Sequence, residues 1–158
     1  MQKLYFEDFH VGDSFDLGSI SVTQEEIIDF ARQFDPQVFH TDPALAKASF
    51  FGELVASGWH TGALFMRLLV DALFSKVDSM GSPGVDEIRF LKAVRPGDAL
   101  SGRFTVIETR PSSSRPYLGI IKAQGTLHNQ NGELVLSMVS THFFGCRPPE
   151  KASSDVSC

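Results

Sequence analysis

A chain of 158 residues, 42% apolar and 21% charged, is long enough for one domain with a real core and too short for two of ordinary size. A formal charge of -5 with no Lys/Arg run argues against nucleic acid as a partner, although a few local cations suffice to meet an acidic ligand. The two cysteines, Cys146 and Cys158, form no disulfide framework, the N-terminus lacks an apolar signal core, and the longest apolar stretch (63–74) is broken by Arg67 and Asp71, so a cytoplasmic protein with no membrane span is expected.

Residues 1–12 read as an irregular lead-in ending at Gly12-Asp13. Residues 14–22 form a first strand, with a weak alternation through Phe15, Leu17 and Ile20. Thr23-Gln24-Glu25-Glu26 is a capping box, and Ile27, Phe30, Ala31 and Phe34 give the stripe of a helix over about 24–34. Pro36 disfavours helical geometry at Asp35, which is placed at the helix exit. Asp42 as N-cap and Pro43 at the first helical position open a short helical piece.

After a loop containing Phe50-Phe51-Gly52, Ser57-Gly58 precede a longer helix over about 60–76. Its apolar residues cover more than one face, the pattern of a buried helix. Strands are expected over 85–93, 99–109, 117–128 and 133–145, with turns at Arg95-Pro96-Gly97-Asp98 and Asn131-Gly132. The single domain should run over 1–146, with 147–158 as a disordered tail of Pro, Ser and charge.

Four consecutive strands with short links imply an antiparallel sheet, and the apolar helix needs such a sheet curved around it. The fold class is therefore α+β. The sheet edges favour pairing between subunits, so a homodimer is expected, with higher assembly open.

The segment 34–42, Phe-Asp-Pro-Gln-Val-Phe-His-Thr-Asp, carries most of the chemistry. It sets Asp35 and His40 on a short, Pro-stiffened loop between two capped helices, an acid/base pair fit for proton transfer. Each alone reads equally well as a helix terminator or a surface histidine. Gly58 is a second candidate, because a backbone N–H at a helix N-terminus can stabilise an oxyanion and glycine lets a ligand approach. It can equally be a plain helix start.

This segment resembles the catalytic segment of the MaoC-like (R)-specific enoyl-CoA hydratases and acyl dehydratases, approximately Asp-x-Asn-Pro-x-His. The likeness extends over about 5–145 and includes Tyr5-Phe6-Glu7-Asp8, Phe30-Ala31, Ser57-Gly58-Trp59-His60 and Arg95-Pro96-Gly97-Asp98. It implies a hot-dog fold, a curved antiparallel sheet wrapped around a central apolar helix. It implies that Asp35 and His40 activate one water for syn addition to a trans-2-enoyl thioester, giving an (R)-3-hydroxyacyl-CoA. It also implies Gly58 as the oxyanion donor, an acyl-CoA of fatty acid metabolism as substrate, and no cofactor. Gln37, Ser57 and His60 join Gly58 as substrate-binding candidates, His60 with a structural role as its plainer reading. Asp35 and His40 must each change protonation within the cycle, so pKa values near working pH would help.

The chain departs from the family pattern. Gln37 stands where Asn is usual, Val38 where Pro is usual, Phe34 where Gly often precedes the Asp, and Met66 where some hydratases place a Ser. These changes bear on the substrate more than on the reaction. His10, His128 and His142 do not cluster, and no metal is expected. Lys92, Arg95, Arg103 and Lys122 are candidates for coenzyme A phosphates or plain solvated charges. Two rival functions remain: a hot-dog acyl-CoA thioesterase, and a non-catalytic acyl-CoA-binding subunit.

Overall fold

The computed structural model describes residues 2–149. Thr23 and Glu26 make the expected capping box in both directions, at 3.2 and 2.8 Å, and start α1 (Gln24–Phe34). Strand β1 (Ser14–Ser21) precedes it, and one-turn helices α2 (Val38–Thr41) and α3 (Pro43–Ala46) follow. The central helix α4 is Gly58–Ala72. Four strands complete the chain: β2 (Gly84–Phe90), β3 (Ala99–Pro111), β4 (Leu118–His128) and β5 (Leu134–Gly145).

All strand pairs are antiparallel, in the order β1-β3-β4-β5-β2. β2 and β3 are consecutive in the chain but lie on opposite sides of the β4–β5 hairpin. The link between them crosses the end of the sheet, where the Leu91 N–H reaches Val135 and Gly97 and Asp98 exchange backbone bonds with Val22. The sheet curves around α4, giving the α+β hot-dog arrangement.

The weak alternation of β1 has a physical cause. Phe15 pairs with Phe104 and Ile20 with Leu100, while the register shifts between Asp16 and Ser19. Gly18 takes φ of 76° there, and its N–H donates to Asp16 Oδ1 at 2.8 Å. A bulge at this point returns Ile20 to the face already holding Phe15 and Leu17.

Helix α4 packs through Phe65, Leu68 and Leu69, with Phe104, Ile121, Leu136 and Phe144 among the fully buried residues of the core. Gly125 makes room for it: a Cβ there would lie 2.2 Å from the Phe65 ring. The helix starts two residues earlier than its pattern suggests, because Ser57 is the N-cap and its hydroxyl accepts from the Trp59 N–H. It ends earlier as well, with a short 3-10 turn over Phe74–Lys76 in place of a final helical turn.

The reading of α4 as a buried helix holds only in part, since Trp59, Met66 and Val70 are exposed along one side. The chain also stays anchored past 146. The Arg147 N–H donates to Glu7, and its guanidinium donates to both Asp8 oxygens at 2.6 and 2.8 Å. The rest of the expected tail, 150–158, lies outside the described residues.

Candidate active site

Asp35 is the C-cap of α1. Its N–H makes the last helical bond, to Ala31 O, and its backbone then turns away at φ -152° and ψ 69°. His40 was expected on an irregular loop but lies on α2, a single turn closed by Asp42 N–H to Val38 O. Four residues are too few to leave a periodic signature, so the sequence pattern could not reveal that turn. The turn aims the two side chains at each other. His40 Nε2 lies 3.4 Å from Asp35 Oδ2.

The other ring nitrogen sets the tautomer. His40 Nδ1 is 2.6 Å from the Val55 carbonyl, which can only accept, so Nδ1 carries the hydrogen. Neutral His40 therefore turns the bare lone pair of Nε2 towards Asp35. The ring is buried against Phe39, with 5% exposure. A buried ring with one nitrogen fixed is oriented for proton exchange at the other.

The Asp35 carboxylate accepts from two further donors. Gln37 Nε2 reaches Oδ1 at 2.8 Å, and the Ser57 hydroxyl reaches Oδ2 at 2.7 Å. Burial pushes the Asp35 carboxyl up, but the bonds from Ser57 and Gln37 and the proximity of His40 outweigh it, and its pKa is held below the ordinary carboxylate value. The shift favours the ionised form of Asp35.

These groups border a cavity of about 590 Å³ lined by Asp35, Gln37, His40, Gly58, Trp59 and Phe90, among others. Gly58 is the first residue of α4, and no acceptor among the described residues takes its N–H. That amide and the positive end of the helix macrodipole are available to a ligand oxygen. Gly58 also answers to packing. A Cβ there would meet the Phe90 ring at 2.6 Å. Phe90 is a lining residue that leaves no mark in the sequence pattern, since it ends an edge strand some thirty residues away.

The remaining candidates divide. Gln37 lines the cavity. Ser57 is fully buried and meets Asp35 rather than the cavity. His60 stacks on Phe30 at 4.7 Å, is not a lining residue, and has its pKa lowered chiefly by burial. Of the four cation candidates, Lys92 lines the cavity and pairs with Glu133, while Arg95 pairs with Glu53 and Lys122 with Asp86. Among the described residues, no group of three His, Cys, Asp or Glu is placed to hold a metal, and no helix is long and apolar enough to cross a membrane.

Comparison with known proteins agrees with this architecture. A MaoC-like domain model matches residues 8–119, which include Asp35, His40 and Gly58. The uncharacterised protein YdeM of Bacillus subtilis is 31% identical over 124 residues, 78% of this chain and 86% of its own length. The crystal structure of a MaoC-like dehydratase from Rhodospirillum rubrum is 40% identical, with a TM-score of 0.82 over 92% of this chain and 99% of that one. An R-hydratase of Pseudomonas aeruginosa shares the fold at 21% identity, with a TM-score of 0.74 over 99% of both chains. The chain thus belongs to the MaoC-like dehydratase family, hot-dog proteins of the hydratase and dehydratase type.

Proposed function

We propose that this protein adds water reversibly across the double bond of a trans-2-enoyl-CoA thioester, giving an (R)-3-hydroxyacyl-CoA. One observation carries the proposal: Asp35 Oδ2 and His40 Nε2 stand 3.4 Å apart in the wall of a cavity that also holds the free Gly58 amide. A water accepted by both groups has its oxygen directed at C3. His40 Nε2 takes one proton from that water as the C3–O bond forms. The C2=C3 electron pair shifts to give an enolate, whose oxygen takes the Gly58 N–H bond.

The imidazolium then returns a proton to C2 on the same face, so one water is added syn and His40 ends neutral. Ionised Asp35 and the Val55 carbonyl stabilise the imidazolium between the two transfers. The assignment gives both transfers to His40, because Nδ1 is held by the Val55 carbonyl and Nε2 is left free to take the proton. Loss of the conjugated enoyl-thioester absorbance tests the reaction. Release of free thiol without hydration would mark a thioesterase instead.

The active unit is a homodimer. β2 is an edge strand with almost every residue exposed, and Val85 and Phe90 on it continue the exposed Trp59, Met66 and Val70 of α4. An apolar face beside an unpaired edge is what a second copy covers. Sedimentation equilibrium should give at least twice the 17.4 kDa chain mass. A monomer at micromolar concentration would refute the assembly.

A further inference from the structure

We propose that Ser57 is a positioning residue, whose hydroxyl locks the Asp35 carboxylate to the N-terminus of α4 and so fixes the water-holding pair relative to the Gly58 amide. The inference rests on the catalytic reading of Asp35 and adds a residue that does not touch substrate.

The hydrogen-bond arithmetic at Ser57 leaves one solution. Its oxygen accepts the Trp59 N–H at 3.3 Å as helix cap, and its single hydrogen is donated to Asp35 Oδ2 at 2.7 Å. One hydroxyl therefore caps α4 and holds the carboxylate. Ser57 is 0% exposed, so no solvent competes for either bond.

The second donor to Asp35 cannot do this job. Gln37 is exposed, lies two residues from Asp35, and moves with the same turn. Ser57 lies 22 residues away and begins a helix anchored in the core by Phe65 and Leu69. Among the described residues, its hydroxyl is the donor that ties the carboxylate to the rigid body of the molecule.

His40 is fixed on the same short segment. Its Nδ1 donates to Val55 O at 2.6 Å, and the Val55 N–H donates back to Phe39 O at 3.0 Å. Val55-Ala56-Ser57 thus holds both proton-handling side chains and leads directly into Gly58. A displacement near 1 Å in such a constellation costs up to about 10²-fold in rate.

The test uses Ser57→Ala and Ser57→Gly in the full-length protein, with Ser57→Thr as the rescue. Glycine is tolerated as a helix cap, so it removes the tie to Asp35 while sparing the helix start. Asp35 is titrated by carboxyl-carbon NMR, a readout that a cap alone would not move. His40 is the charged or titratable group facing the carboxylate within 4 Å, and Lys92 lines the same cavity, so both stay unchanged in every variant.

Ala and Gly should raise the Asp35 pKa, since a donor to the charged form is lost. They should lower kcat by roughly 10- to 100-fold with KM changed less than about threefold, and Thr should restore both. An unmoved titration in the folded Ala and Gly variants overturns the proposal. So does a kcat left at the wild-type level while the titration moves. The titration needs no turnover, so a protein inactive on enoyl-CoA would refute the hydratase reading and leave the Ser57–Asp35 tie to be judged separately.

Discussion

Asp35→Asn and His40→Gln should each lower kcat for the proposed enoyl-CoA hydration by on the order of 10²–10⁴-fold while the protein stays folded. Asparagine matches aspartate in shape. It keeps an oxygen for the Ser57 hydroxyl, and Gln37 can turn its amide to meet the new NH₂ group. What disappears is the negative charge that, in the proposed mechanism, holds the water and stabilises the imidazolium. Glutamine at position 40 keeps an N–H that can donate to the Val55 carbonyl, but it has no basic nitrogen to take the proton. The two groups act on one water, so their effects should not add. The double variant should be nearly as active as the weaker single one. Steady-state kinetics with circular dichroism on the same samples checks this. Two folded variants with wild-type kcat would remove the pair from the mechanism.

A second large effect concerns stability and lies away from the site. His142 on β5 is 4% exposed, enclosed by Phe74, Phe104 and Phe144, and its Nε2 is 2.8 Å from the Ser140 hydroxyl. The shallow cavity beside it is lined by Met66, Val70, Phe74, serines and Gly81, with no charged side chain. Burial pushes the His142 pKa down from 6.5 to about 4. The folded protein therefore refuses a proton that the unfolded chain accepts below pH 6.5. The resulting stability is fully present above that pH and is lost progressively down to about pH 4. The full loss is about 3 kcal/mol. His142→Gln removes the titration, and carboxylates common to both proteins cancel in the comparison. Urea unfolding of wild type and variant from pH 7 to pH 4 should show the wild type losing stability faster. Parallel curves would contradict the account of His142.

The fold was legible where one residue type settles local geometry. Thr23 and Glu26 start α1, Asp42 and Pro43 start α3, and Pro36 releases Asp35 from the helix. The Asn131-Gly132 turn does join two strands, but the connection is wider than a two-residue hairpin. Asn129 Oδ1 accepts from the N–H groups of Asn131 and Glu133 and organises the whole loop. Pattern reading found the strands but not that β2 pairs with β5, because register across the sheet depends on where a loop crosses.

The site divides in the same way. Asp35 and His40 stood out because they are close in sequence, and Gly58 because it begins a helix. Ser57 read as a helix start and a substrate-binding candidate, not as a partner of Asp35, since its bond to Asp35 spans 22 residues and no periodicity records it. Phe90 gave no signal at all, because its contact with Gly58 exists only once β2 is laid against α4. The lowered Asp35 pKa likewise depends on donors from two separate parts of the chain, Gln37 and Ser57, and is invisible in either alone.

The most direct test is to run the reaction in D₂O on a short and a medium trans-2-enoyl-CoA, with Asp35→Asn beside the wild type, and to resolve the product by chirality and mass. The mechanism predicts (R)-3-hydroxyacyl-CoA from the wild type alone, with one deuterium at C2 on the face that bears the hydroxyl. An (S) product, deuterium on the opposite face, equal activity in Asp35→Asn, or free thiol in place of a hydroxyacyl product would contradict it.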